Sequence, residues 1–141
     1  MTNANAAEPT KIELRAIHGL YGGHDLIINS KGEKIIRIVQ PNQNGFTEVR
    51  YRDTIPFPEI VKSLHLDDLK KYKESKRTGI PDEVRTTINI QMSDGTALRY
   101  SKWEADENKS FDSTYQALLA LVNAKQGKLE YLGPLDENFI E

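Results

Sequence analysis

Two histidines and an aspartate, His18, His24 and Asp25, lie around a cluster of glycines in the stretch GLYGGHDL, Gly19 to Leu26. Two imidazoles and a carboxylate can hold a divalent metal with open coordination positions, and such a metal activates water. The glycines raise a second chemistry, a phosphate cradle of backbone amides. Each needs more than this spacing supplies. A phosphate loop sets its glycines at a helix N-terminus, with Lys and Ser or Thr following. Here Gly22 and Gly23 precede His24, Asp25 and a strand-like Leu-Ile-Ile. A metal site needs ligands that converge, and no His-Glu-x-x-His or comparable pattern enforces convergence. The reading is a turn or bulge in which glycine meets a demand for positive φ. A small enzyme, with metal-assisted hydrolysis at His18, His24 and Asp25, stands as the alternative.

The second place where chemistry could gather is RYSKWEADE, Arg99 to Glu107. Trp103 is the single tryptophan, with Arg99 and Lys102 close by in sequence. A tryptophan beside cations is a common anchor of protein interfaces, whereas a half-buried one closing a core at a strand end is commoner still. Arg37, Arg50, Arg52, Arg85 and Arg99 also suggest a sheet face rich in arginine, suited to an acidic partner or a small anion, or simply wet. No serine lies in a Gly-x-Ser-x-Gly elbow. The acidic pairs Asp67–Asp68 and Glu104 with Asp106 sit in polar segments, where solvation explains them. His65, beside Asp67 and Asp68, reads as a surface helix residue. No catalytic, cofactor or metal residue is assigned, and no cofactor is expected.

The elements that would position these residues are legible in outline. KIELRAIH alternates with period two, which predicts a half-buried strand. Two apolar runs flank Asn29–Ser30–Lys31–Gly32, a hairpin signal. Pro41 to Gly45 reads as the next turn, leading into FTEVRYRD. Pairing Val39 with Phe46 would set Arg37 opposite Glu48 and Ile36 opposite Val49, which joins charge to charge and apolar to apolar. Apolar residues from Ile60 to Tyr72 fall at helical spacing, predicting a helix from near Pro58 or two short ones broken near Leu66, closed by Gly79 and Pro81. EVRTTINIQM and ALRYSKWE flank an Asp94–Gly95 turn. A last helix, STYQALLALVNAKQ, is capped by Ser110 or Asp112 and stopped by Gly127. Its apolar stripe is Phe111, Tyr115, Leu118, Leu119 and Val122. The expectation is an α+β fold: a mostly antiparallel sheet of about six strands against two helices, in the order ββββ-α-ββ-α. Residues 1–10 are expected as a disordered leader, 11–127 as one domain and 128–141 as a tail that either packs as a short strand or hangs loose.

Composition narrows the function class. The 141 residues carry 19 basic and 21 acidic side chains, a net charge of −2 without a basic stripe, so nucleic-acid binding is not expected. The chain has no cysteine, which removes thiolate chemistry and disulfides and suits a reducing cytoplasm. The first residues show no secretory signal pattern and no apolar run approaches membrane length. A cytoplasmic interaction module follows, with a protein partner or a second copy of itself as the expected ligand.

GLYGGHDLIINSKGE, with Gly19, Tyr21, Gly22, Ile28 and Gly32, resembles the G-x-Y-G start of small uncharacterised bacterial α+β domains. The related pattern carries cysteines and a proline around its glycines, which this chain does not have. The resemblance spans roughly residues 11–126. It implies the strand-rich order above and supplies no activity.

Overall fold

The computed structural model describes residues 7–79, 83–124 and 127–139. Its elements are β1 (Pro9–His18), β2 (Gly22–Asn29), β3 (Glu33–Asn42), β4 (Gly45–Thr54), α1 (Phe57–Lys62), α2 (Leu66–Leu69), β5 (Arg85–Met92), β6 (Ala97–Trp103), α3 (Lys109–Asn123) and β7 (Lys128–Pro134). The strands form one sheet in the order β6-β5-β1-β2-β3-β4-β7. Every neighbouring pair is antiparallel.

This overturns the expected six strands and two helices in the order ββββ-α-ββ-α. The described chain has seven strands and three short helices. The extra strand is β7, in the expected tail, where of the two open readings the short strand is the one found; it pairs with β4. Its alternation is hidden because the register shifts between Arg50 and Tyr51, leaving Glu130 out of step. That bulge brings Leu129 and Leu132, three residues apart, to one side of the sheet. The extra helix arises at His65, whose φ of 57° is left-handed and separates α1 from α2. Of the expected leader, Pro9 and Thr10 belong to β1. Pro9 already pairs with Met92, and residues 1–6 lie outside the described residues, as do Pro81 and the last expected helix positions, 125–126. α3 is capped by Asn108, which accepts the amide of Phe111, while Ser110 and Asp112 fall inside the helix.

The β3–β4 hairpin is two residues out of the expected register. Val39 pairs with Glu48 and Ile36 with Tyr51, because the strands run on to Asn42 and Gly45 around a tighter turn. Asn42 holds that turn by accepting the amide of Asn44. A shift of two leaves every side chain on its original face. The face assignment therefore survives although the partners change.

Reading registers across the sheet gives its two faces. On one, Leu14, Leu26 and Ile36 are wholly buried side by side, and Ile12, Ile28, Ile88 and Ile90 join them under the helices. Phe57, Leu64, Leu69, Phe111, Leu118 and Val122 supply the covering layer. Thr114 ties α3 to the α1–α2 link by donating its hydroxyl to the carbonyl of Leu64 at 2.6 Å. On the other face a row runs Arg15, Asp25, Arg37, Arg50, Tyr131, one residue per strand. After β7 the chain turns back over this face with residues 135–139.

Candidate functional site

The stretch GLYGGHDL is the β1–β2 turn and the first half of β2. Gly22 and Gly23 have φ of +73° and +145°, and a β-carbon on them would lie 2.1 Å from the Val39 carbonyl oxygen and 2.0 Å from that of Ala16. Glycine is required there by backbone conformation and by the close approach of two neighbouring strands. No helix follows, so the amides have no helix dipole behind them.

The three candidate ligands do not meet. His18 ends β1, stacks on Tyr21 at 4.9 Å between ring centroids, and accepts the amide of Leu20 on Nδ1. His24 and Asp25 are consecutive strand residues and so point to opposite faces. His24 lies in the row Ala16, His24, Ile38, Val49, Leu132 on the helix side. Burial lowers its pKa, and its Nε2 is buried without a hydrogen-bond partner. A neutral imidazole in an apolar row is the result. Among the described residues no group of three or more His, Asp or Glu is placed to hold a metal ion.

Asp25 belongs to a buried charge network on the opposite face. Its Oδ2 accepts Arg37 Nη1 at 3.1 Å, and Arg15 Nε stands 3.7 Å from Oδ1. Burial raises its pKa to about 6, against the opposing charges of Arg15 and Arg37. Glu48 is the centre of the network and is completely buried. It accepts Arg37 Nε and Nη2 at 3.1 and 2.9 Å, Arg50 Nε at 2.9 Å and the backbone amide of Asp136 at 3.0 Å. Burial pushes its pKa up, but the Arg37 bond, the Asp136 amide and the two guanidinium charges outweigh this and hold the carboxyl below its ordinary value. Arg37 and Arg50 are themselves buried.

The segment after β7 seals this network. Arg37 Nη2 donates to the Asp136 carbonyl at 3.1 Å, and Arg50 Nη2 donates to its carboxylate at 3.1 Å. The ring of Phe139 lies 3.8 Å from the Arg50 guanidinium and 5.2 Å from that of Arg37. Beside the segment runs a cleft of about 440 Å³, lined by Asp25 and Arg37 together with Ile17, Ile27, Leu135 and Phe139.

The second cluster also comes apart. Trp103 is half-buried under its neighbours: Arg85 lies 4.7 Å from its ring, and a methyl group at Gly79 would be 2.5 Å from the indole. Lys102 points the other way, to the carbonyl of Asp106 and to Asp112 Oδ1 at 3.4 Å. Arg99 is exposed on the Trp103 face. Trp103, Arg99 and Lys102 therefore form no common surface. The pleat of β6 accounts for this, and the Tyr72 hydroxyl donates to the Ser101 carbonyl between them at 2.6 Å.

All five arginines noted in the sequence share the face opposite the helices, yet Arg37 and Arg50 are enclosed rather than wet. The signal missed was at the far end of the chain. Asp136 lies 86 to 99 positions from its partners, with Phe139 further on, and no local pattern links such distances. At the other margin of the sheet, on the helix side, Val49, Tyr51, Leu129 and Leu132 neighbour one another beyond the helical cover. Leu129 and Leu132 are 51% and 66% exposed on the outermost strand.

No helix among the described residues is long and apolar enough to cross a membrane. Comparison of the chain with protein-family models, curated proteins and solved structures produced no match.

Proposed function

We propose that the chain is a non-catalytic protein-binding module whose partner lays a strand along β7 and covers the apolar corner of Val49, Tyr51, Leu129 and Leu132. One observation carries this reading: Leu129 and Leu132 stand exposed on β7, one of the two outer strands of the sheet. An edge strand presents unpaired backbone groups, and apolar side chains beside it add a hydrophobic gain to strand pairing. Among the described residues β6 and β7 are the two outer strands: on β6 the Ser101 carbonyl is taken by the Tyr72 hydroxyl, and of the two it is β7 that exposes large apolar side chains. Leu129 also borders a hollow of about 410 Å³ with Arg52, Thr54 and Lys128, wide enough for an anchoring side chain. Pro134 and the bulge at Glu130 limit the pairing to a short strand.

A photoreactive residue at position 132, compared with one at Asp94 in the distant β5–β6 turn, tests the proposal in living cells. The expected result is a discrete crosslinked species from position 132 alone, lost when Leu129 is changed to Lys. A product of twice the chain mass identifies a second copy as the partner; any other mass identifies a different protein. Equal labelling from both positions sinks the reading.

A further inference from the structure

We infer that Arg37, Glu48 and Arg50 form a recognition site for an acidic–aromatic peptide turn of the pattern Asp-x-x-Phe, filled here in cis by Asp136–Phe139 and able to take the same chemistry from another protein. The inference goes beyond the β7 reading, because it concerns the opposite face and different residues. The contacts are those of a receptor with its ligand. Arg37 grips a backbone carbonyl, Glu48 accepts a backbone amide, Arg50 pairs with a carboxylate, and both guanidiniums lie against an aromatic ring. Glu48 bonds both arginines through contacts that do not involve the segment, which is the arrangement a preorganised site requires. All three are more than nine-tenths buried.

The occupant is built as a separable turn. Asp136 shapes it by accepting the amide of Asn138 on its own carboxylate. Glu137 and Asn138 are exposed, and the Asp136 side chain is 31% exposed. Beyond Leu135, whose amide reaches the Phe46 carbonyl at 3.0 Å, the segment has left the ladder of β4. A turn held by ion pairs and one ring can exchange with a competing turn while β7 stays paired. The cleft of about 440 Å³ beside Phe139 gives an incoming chain room to continue.

The test uses the full chain with Asp136→Ser and Phe139→Ser together, and a fluorescent peptide of residues 134–139, Pro-Leu-Asp-Glu-Asn-Phe. Saturable binding is expected, at least tenfold tighter than to the unaltered chain, where the tethered segment competes at high effective concentration. A control peptide with Asn and Ala in place of Asp and Phe is expected to bind at least tenfold more weakly. The single variant Phe139→Ser serves if the double variant loses cooperative unfolding. In the unaltered chain, the Arg37 and Arg50 Nε–H signals are expected to shift with millimolar peptide. Equal affinity for both peptides, or none for either, overturns the inference. Dimerisation of the unaltered chain that Asp136→Ser abolishes would place a neighbouring copy's segment in the site, and would overturn its assignment to another protein.

Discussion

Replacing Glu48 by alanine is the most demanding test of the buried network. Glu48 is completely enclosed and accepts four hydrogen bonds, three from guanidiniums and one from the Asp136 amide. Its loss strands two arginines, whose side chains are only 10% and 8% exposed, and leaves the Asp136 amide unpaired. Asp25 still offers Arg37 one contact and Asp136 still offers Arg50 one, so the charges are depleted of partners rather than wholly bare. Removing one side of a buried ion pair costs about 3–5 kcal/mol. With each kcal/mol worth roughly 3–5 °C for a chain of this size, the melting temperature should fall by roughly 10–25 °C. Glu48→Gln keeps the shape and one acceptor oxygen, so about half that loss is expected. Urea unfolding at neutral pH, followed by Trp103 fluorescence, measures both variants. Because the pair is enclosed, the loss should persist in 0.5 M salt, where exposed pairs are screened. A cost below about 1 kcal/mol, the range of exposed ion pairs, refutes the claim that this network is a buried structural unit.

The remaining expectations are smaller and independent. Gly23→Ala should cost about 3 kcal/mol or more, since the methyl group meets the Ala16 carbonyl at 2.0 Å and φ is +145°, while Gly19→Ala, with nothing within 4 Å, should stay within about 0.5 kcal/mol in urea titrations. Asp25, raised to about 6 in the folded chain, binds its proton more tightly there than when unfolded. Its contribution is therefore fully present below about pH 4 and is lost as pH rises through 6, so Asp25→Asn should gain stability relative to the parent across that window. A difference independent of pH between 4 and 7 would contradict the assignment. Tyr72→Phe removes the hydroxyl from the Ser101 carbonyl and should cost about 1 kcal/mol, with faster hydrogen exchange confined to the end of β6.

Local signals in the sequence carried a long way. The alternation of KIELRAIH, the Asn29–Gly32 and Asp94–Gly95 turns and the helix containing Phe111 and Leu118 all mark real elements, because each depends on neighbours a few residues apart. The face of Arg37 was readable for the same reason, and a register error of two could not disturb it. What failed were features set by distant contacts. β7 has one open edge and a bulge, so burial imposes no regular alternation on Lys128–Pro134. His18, His24 and Asp25 looked like a cluster because they are close in sequence, yet the pleat sends His24 and Asp25 to opposite faces. The pairing of Arg37 with Glu48 was legible in the hairpin, but its closure by Asp136, 88 positions from Glu48, was not.

That separation also orders events during synthesis. The β3–β4 hairpin, with Arg37, Glu48 and Arg50 in place, can form long before residue 136 has left the ribosome. Until then Asp136 and Phe139 are not there to cover the two guanidiniums, and Asp25 and Glu48 are the carboxylates left to them among the described residues. A nascent chain halted after residue 127 would present the same acidic–aromatic docking face with nothing tethered to fill it, and would be the form most open to capture by other polypeptides.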